Sequence, residues 1–496
     1  MYSSILHFME KSMIEIEKVA KVAKEVLTGE KDVEDLSRRI LDATNLLATG
    51  LTGDLYEKFD EEIRECATRK FSWNVERRNE EKELVDIAGT VKFSRTGYKN
   101  KHTGEYIYLL DQVLGIDKHQ RITLGAAAKV LEETIQSSYR KGGESVNPYD
   151  SISKQAVKEL VHGTIVEFPL EKKEKKLLRE LYIVADEDHV AAQFINNKGD
   201  LPLDSRGHKI NTIIPKLICV YEGVENESGE KSKNPRYRLV GKRYFCCCYK
   251  GEAQNIRFWE EVRDYILEAY DTDVLERVYI AGDGASWIKA GLEVIENSKF
   301  VLDKYHIMTY INKSLSHLLE DDIEELKGEL WSAINGAKKQ ELREIYKSIL
   351  NVTEPGNKYD EVERAMKYFI NQWDGIKIRA EEAGGRWKCC AEGQVSHVLS
   401  ARLSSRPMGW SYHGCEQMAK LRAFSWNGGK VIDLLRYQKE KKRKKGAIEH
   451  QNKLIKELRK RQSGWDYEEQ MRSYVPGLEG RSMHWLKDVI NGGFVA

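Results

Sequence analysis

A chain of 496 residues is long enough for about three domains at ~150 residues each, and its 41% hydrophobic and 32% charged residues match a soluble globular protein. The formal net charge of +1 excludes nucleic-acid binding through the overall field, so such contacts must come from local patches. The eight cysteines form neither a disulfide framework nor a CxxC zinc pair, and no apolar run reaches the ~20 residues of a membrane span.

The opening segment MYSSILHFMEKSMIEIEKVAK alternates apolar and charged residues at helical spacing. It lacks the three regions of a signal peptide, and the cysteine pattern suits a reducing cytoplasm, so the expected location is cytoplasmic, and nucleoid-associated if the chain binds DNA. Tyr2 to Ala67 reads as two or three amphipathic helices broken at LATGLTGDL. Ala88 to Leu110 alternates β-branched or aromatic residues with polar ones around a Gly-containing turn, the pattern of a hairpin. Its Lys, Arg and Tyr residues suit a DNA backbone or a solvated sheet face equally. These elements make up an N-terminal region, 1–115.

In 116–172, RITLGAAAKVLEETIQSSYRKG and SISKQAVKELVHG read as two helices, the second capped by Ser151 or Ser153. Two short helices across a turn resemble a helix-turn-helix, whose second member would offer Lys154, Gln155 and Lys158 to the major groove. Ordinary helix pairs share this pattern.

From Lys175 the order of elements becomes informative. LLRELYIVADEDHVAAQ, PKLICVYEGV and RYRLVGKRYFCCCY read as strands, AQNIRFWEEVRDYILEAYD as a helix, RVYIAGDG as a strand, ASWIKAGLEVIE as a helix and KFVLDKYHI as a strand. An α/β order β-β-β-α-β-α-β, with a meander first and alternation after, is that of a ribonuclease H-like domain with a mixed sheet. Its first part is expected at 173–310, an all-α insertion at 311–385, and its return at 386–435, where a helix in WKCCAEGQVSHVLSARLSS stops at Pro407. The remaining 436–496 is basic. Lys441, Lys442, Arg443 and Lys444 could contact phosphates there, although a solvated helix face is the plainer reading. The adjacent cysteines Cys246, Cys247 and Cys248 suit buried strand positions.

Phosphodiester chemistry with two metal ions needs hard oxygen ligands at the ends of adjacent buried strands. Asp186 ends LYIVAD and Asp283 ends VYIAGD, each directly after apolar residues where an unpaired carboxylate is costly. Asp188, two residues on, could face the same way as Asp186. A turn or cap role is the alternative for Asp283. A third acid should come from the helix after the insertion, with Glu392 the candidate and Glu416 its rival. Asp303, three residues before His306, could orient that imidazole toward a scissile phosphate, or simply cap a helix. Arg402 and Arg406 are candidate phosphate contacts, and Trp410 could stack on a base but better suits a core.

YIVADEDHVAAQ, YIAGDGASWIKAG, FVLDKYHIMTYI and AEGQVSHVLSARLSSRPMGWS together resemble the ISLre-type insertion-sequence transposases, also known as uncharacterised protein family 0236 and distantly related to Mutator-like DDE transposases. The resemblance extends over nearly the whole chain. It implies Asp186, Asp283 and Glu392 as the acids, and Asp303 with His306 as a D(2)H signature. Glu187 stands where the Mutator-like pattern has glycine, which leaves Asp186 and Asp188 both open as first ligand. The implied enzyme uses two Mg²⁺ or Mn²⁺ ions per site. It binds double-stranded DNA, both terminal inverted repeats and target, and acts as a homodimer or higher oligomer. Two other readings stay open: a domesticated DNA-binding protein without catalysis, and a ribonuclease H-like junction nuclease.

Overall fold

A computed structural model describes residues 2–445 apart from 168, 170–173, 205–206, 229–235, 384–390 and 407. Cys389, Cys390, Pro407 and everything after Lys445 therefore lie outside the described residues. The chain divides into two compact units, Met1–Glu167 with Lys430–Ala496, and Phe168–Gly429.

In the first unit, α1 (Tyr2–Leu27) packs along α2 (Val33–Glu65), whose first turn is capped by the Asp32 carboxylate accepting from the Asp35 N–H at 2.8 Å. The expected break at LATGLTGDL does not occur; α2 runs through it. Gly53 is there for close approach instead, since a Cβ would stand 2.4 Å from the Lys92 carbonyl oxygen. The helix lies on β2 of an antiparallel sheet formed by β1 (Trp73–Asp86), β2 (Gly89–Asn100) and β3 (Tyr106–Tyr108) in that order. The hairpin thus starts earlier than the alternation in Ala88–Leu110 announced. WNVERRNEEKELVD is dominated by charged residues, so it has no apolar period to read.

After a short helix, Leu109–Leu114, come α3 (Leu124–Gln136), α4 (Tyr139–Glu144) and α5 (Lys154–Gly163). Ala126, Val130, Val146 and Val157 form their shared core. Ser138 starts α4, which splits RITLGAAAKVLEETIQSSYRKG in two, and Ser153 caps α5 by accepting from the Ala156 N–H at 3.2 Å. Residues 431–445 are helical and return to this unit, where the Gln438 amide donates to the Gly163 carbonyl at 2.8 Å.

The second unit is built on a five-stranded mixed sheet. Its strands are β4 (Glu180–Glu187), β5 (Lys216–Tyr221), β6 (Arg243–Cys247), β7 (Arg277–Gly282) and β8 (Ser298–Leu302), in the order β6-β5-β4-β7-β8. The pairs β6/β5 and β5/β4 are antiparallel, while β4/β7 and β7/β8 are parallel. The run RYRLVGKRYFCCCY is not one strand. It breaks at Gly241, whose φ of +59° is the left-handed region, and Tyr237–Val240 pairs with Gly223–Asn226 in a separate ribbon.

One face of the sheet buries Ile183, Val220, Ile280 and Leu302 against Phe258, Trp259 and Val262 of α6 (Glu252–Ala269). Cys246, Cys247 and Cys248 are buried, as their strand setting suggested. After β8 come α7 (Lys304–Leu315), α8 (Glu320–Asn335), α9 (Lys339–Val352), α10 (Asn357–Asn371) and α11 (Trp373–Ile378). These helices are continuous with the sheet core: Leu330, Tyr346, Phe369 and Ile376 join the same apolar cluster. The chain then forms α12 (Ala391–Val395), a π-helical segment Ser396–Ser400, and α13 (Tyr412–Trp426). No helix among the described residues is long and apolar enough to cross a membrane.

Candidate active site

Successive side chains on a strand point to opposite faces. Leu181, Ile183 and Ala185 of β4, Val278 and Ile280 of β7, and Phe300 and Leu302 of β8 enter the core. By the same alternation Asp186, Asp283 and Asp303 fall on the other face. The ladder pairs Ala281 with Val184 and Gly282 with Leu302. Carrying that register to the strand ends sets the three aspartates level with one another, across strands about 4.8 Å apart. The Asp303 N–H donates to the Gly282 carbonyl at 2.9 Å and fixes the last step.

Each aspartate is held by backbone amides. Asp186 is buried, and its Oδ1 accepts from the Glu187 N–H at 2.9 Å. Asp283 Oδ1 accepts from the Ala285 N–H at 2.8 Å, so its turn-forming role and its place in the row coexist. Asp303 caps α7, accepting from the Tyr305 N–H at 3.3 Å, and its other oxygen accepts from the Ala391 N–H at 3.3 Å. It thus pins the first residue of the helix that carries Glu392. The orienting hydrogen bond expected from Asp303 to His306 is replaced by these two, and the pair communicates through charge.

His306 sits in the first turn of α7 with its Nε2 3.7 Å from Asp186 Oδ2, beyond hydrogen-bond length. That Nε2 is buried and makes no hydrogen bond. Burial disfavours the imidazolium, but the carboxylates of Asp186, Asp303 and Asp283 outweigh it and hold the ring above its usual range. Glu392, on α12 against β4, is pushed above the ordinary glutamate range by burial and then by the charge of Asp186. Burial likewise raises Asp303, against the opposing pull of His306.

Three neighbours were not legible in the sequence. The Tyr368 hydroxyl of α10 donates to the Asp283 carbonyl at 2.7 Å, and its ring stacks on Tyr310 at 3.9 Å between centroids. Gln372 reaches the next residue: its amide donates to the Gly284 carbonyl at 3.4 Å, and a Cβ on Gly284, at φ +89°, would meet it at 2.4 Å. The insertion therefore walls one side of the acid row. Glu187 is raised by burial and by the charge of Asp283. An amphipathic helix gives no sign of which of its polar residues touches a distant turn, so only the Asp-Gly motif hinted at a tight approach.

Other candidates are placed differently. Asp188 lies past the end of β4, where the Ser404 hydroxyl donates to its carboxylate at 2.8 Å and the His189 N–H at 2.8 Å. Glu416 pairs with Lys420 at 2.9 Å on α13. Arg402 is a correction: it is buried, with its guanidinium 4.9 Å over the Trp410 ring, so it packs in the interior instead of offering itself to phosphate. Trp410 is a core residue, donating from its indole to the Leu403 carbonyl at 3.0 Å. Arg406 is exposed. The π-helical segment is gripped by buried Arg422, which donates to the His397 carbonyl at 2.6 Å and to that of Val398.

In the first unit, Lys154 and Gln155 are exposed and Lys158 is half-buried on α5. Of the basic run, Lys441 pairs with Glu167 at 2.7 Å and Arg443 donates to the Gln112 carbonyl at 3.2 Å, so both anchor the helix. Lys442 and Lys444 are exposed.

Among the described residues, no group of three or more His, Cys, Asp and Glu side chains is arranged to hold a metal ion as it stands. The chemistry of the row is nevertheless that of a hard divalent cation's ligands: carboxylate oxygens at adjacent strand ends, with Glu392 raised by burial and then by the charge of Asp186, beside a buried ring nitrogen without a hydrogen bond.

Residues 27–443 match the model of the uncharacterised protein family UPF0236. A UPF0236 protein of Caldanaerobacter subterraneus subsp. tengcongensis is 37% identical over 442 residues, covering 89% of this chain and 87% of the relative. Another from the same organism is 36% identical over 446 residues, covering 90% and 88%. Among solved structures, the Drosophila P element transposase strand transfer complex aligns with 67% of this chain and 84% of its own, at 10% identity and a TM-score of 0.18.

Proposed function

We propose that this chain, which belongs to the uncharacterised protein family UPF0236, is a DDE-type DNA transposase that cleaves DNA strands at the ends of an insertion sequence and joins them to a target. The observation that carries the reading is the level row of Asp186, Asp283 and Asp303 at the ends of three parallel strands, with Glu392 brought beside it from beyond the insertion. The strand order β6-β5-β4-β7-β8, antiparallel and then parallel, supports a ribonuclease H-like assignment. The motifs that resemble ISLre-type and Mutator-like enzymes fall on these same positions.

Asp186, Asp283 and Glu392 would hold the metal, with Asp188 kept back by Ser404. Divalent ions bound there, Mg²⁺ or Mn²⁺, neutralise charge at phosphorus and ease deprotonation of the attacking oxygen. The protein's own part is positioning. Asp303 ties α12 to the end of β8, so that Glu392 enters at a fixed height. His306, whose buried Nε2 makes no hydrogen bond and whose acidic neighbours favour its protonated form, would donate to a phosphate oxygen. Lys154, Gln155 and Lys158 on α5, with Lys442 and Lys444, would contact double-stranded DNA, and joining two transposon ends calls for at least two copies of the chain.

Asp283→Asn tests the reading directly, because the amide oxygen can still accept from the Ala285 N–H while the charge is gone. Wild-type protein should cleave and join terminal-repeat DNA with Mg²⁺, and the variant should do neither. Wild-type rates from the variant would exclude these acids as the catalytic centre. Cleavage without joined products in wild-type protein would favour a junction nuclease.

A further inference from the structure

The first unit carries an apolar surface that no part of the proposed chemistry uses. On α1, residues 12, 15, 19, 22 and 26 turn inward, and Glu15 and Val22 are the most buried of them. A second seam, Met13, Ile16, Ala20, Ala23 and Leu27, repeats at the three-four spacing of a coiled coil. It faces outward at Met13, 60% exposed, Ile16, 63%, Ala20 and Leu27, 89%, while Ala23 is half-buried at its edge. On α2, Gly53 and Asp60 sit against β2. Ile40, Leu41, Leu51, Leu55 and Phe59 lie about 100° or more around the helix from them and are all exposed.

We propose that these outward seams form the interface between two copies of this chain, with α1 pairing antiparallel to its counterpart about a twofold axis between Ala20 and Ala23. Three features select a second copy. The seam is self-complementary in that register: Ala20 meets Ala23 of the other copy, which lets the backbones approach, and Ile16 meets Leu27 on either side. Its charged flank is self-complementary as well, since Glu17 and Lys24, both exposed on the outer edge, exchange partners across the axis. The size also suits a dimer. The α2 stripe spans about 30 Å and the α1 seam about 20 Å at 1.5 Å per residue, and exposed apolar stripes of that length, edged by charge, are of the kind that mark contacts between proteins.

This interface is independent of the catalytic reading, because it is tested by association alone. Full-length protein in sedimentation equilibrium should be dimeric at micromolar concentration. Ile16→Glu, which places two charges in the seam by symmetry, should weaken the dimer at least a hundredfold, with far-UV circular dichroism unchanged. Glu17→Lys and Lys24→Glu should each weaken it roughly tenfold, and the double variant E17K/K24E should recover most of the loss. A monomeric wild-type protein, as would result if another segment or another protein covers the seam, overturns the proposal. So does association indifferent to Ile16→Glu, or a double variant no tighter than the singles.

Discussion

In the strand pair β1–β2, Arg77 faces Glu80 at 3.2 Å and Lys92 faces Glu83 at 2.8 Å, in pairs open to solvent. At the ends of β4, β7 and β8, Asp186, Asp283 and Asp303 instead gather charge of one sign, and together they raise the proton affinity of His306 against the effect of its burial. Exposed pairs of opposite charge are worth at most about 1 kcal/mol each and serve mainly to keep a strand edge soluble. Like charges brought together with partial burial lower stability. A bound cation would relieve that repulsion, which is the use the proposed function makes of the row.

Substitutions should separate the two regions by magnitude. Asp283→Asn is expected to lower strand cleavage on the order of a thousandfold while leaving the circular dichroism spectrum intact; a loss below tenfold would place the row outside the chemistry. Adding Mg²⁺ or Mn²⁺ should raise the Tm of wild-type protein, by an amount equivalent to about 2.7 kcal/mol at a hundred times Kd. The shift should be largely absent in D283N, and equal shifts in both proteins would move the cation elsewhere. Tyr368→Phe removes the hydroxyl from the Asp283 carbonyl without emptying the ring stack, so kcat should fall about tenfold or more with KM for DNA little changed. A rise in KM alone would mean that the insertion binds DNA instead of setting the turn. Lys92→Ala should cost less than about 0.5 kcal/mol in chemical denaturation and still less at high salt. A larger cost would erase the contrast drawn between the two regions.

Much of the second unit was legible because buried strands announce themselves: YIVAD and VYIAGD are apolar runs ending in an acid, and their order gave the sheet. Which acids stand level was not legible, since register depends on pairing across about a hundred residues of chain. Asp303 looked like an adjunct of His306, and only the ladder from Gly282 to Leu302 puts it in the row. The first unit misled more. Gly50 and Gly53 read as a helix break because glycine costs a helix about 1 kcal/mol, yet close packing on β2 repays that at Gly53. β1 escaped notice because a strand made mostly of charged residues carries no apolar period. Arg402 looked like a surface cation until the Trp410 ring beneath it was located.

The hydrogen bond from the Ala391 N–H to Asp303 joins residues 88 apart in sequence, which makes everything between them a closed loop in the sense of polymer statistics. The entropy of closing such a loop grows only with the logarithm of its length, so doubling it would cost about 0.6 kcal/mol. The turns and exposed faces between α8 and α11 could therefore lengthen at little entropic cost, provided that the crossing point, the buried Leu330, Tyr346, Phe369 and Ile376, and the contacts of Tyr368 and Gln372 are kept. The height of Glu392 is set at the knot, and the string is left open to change.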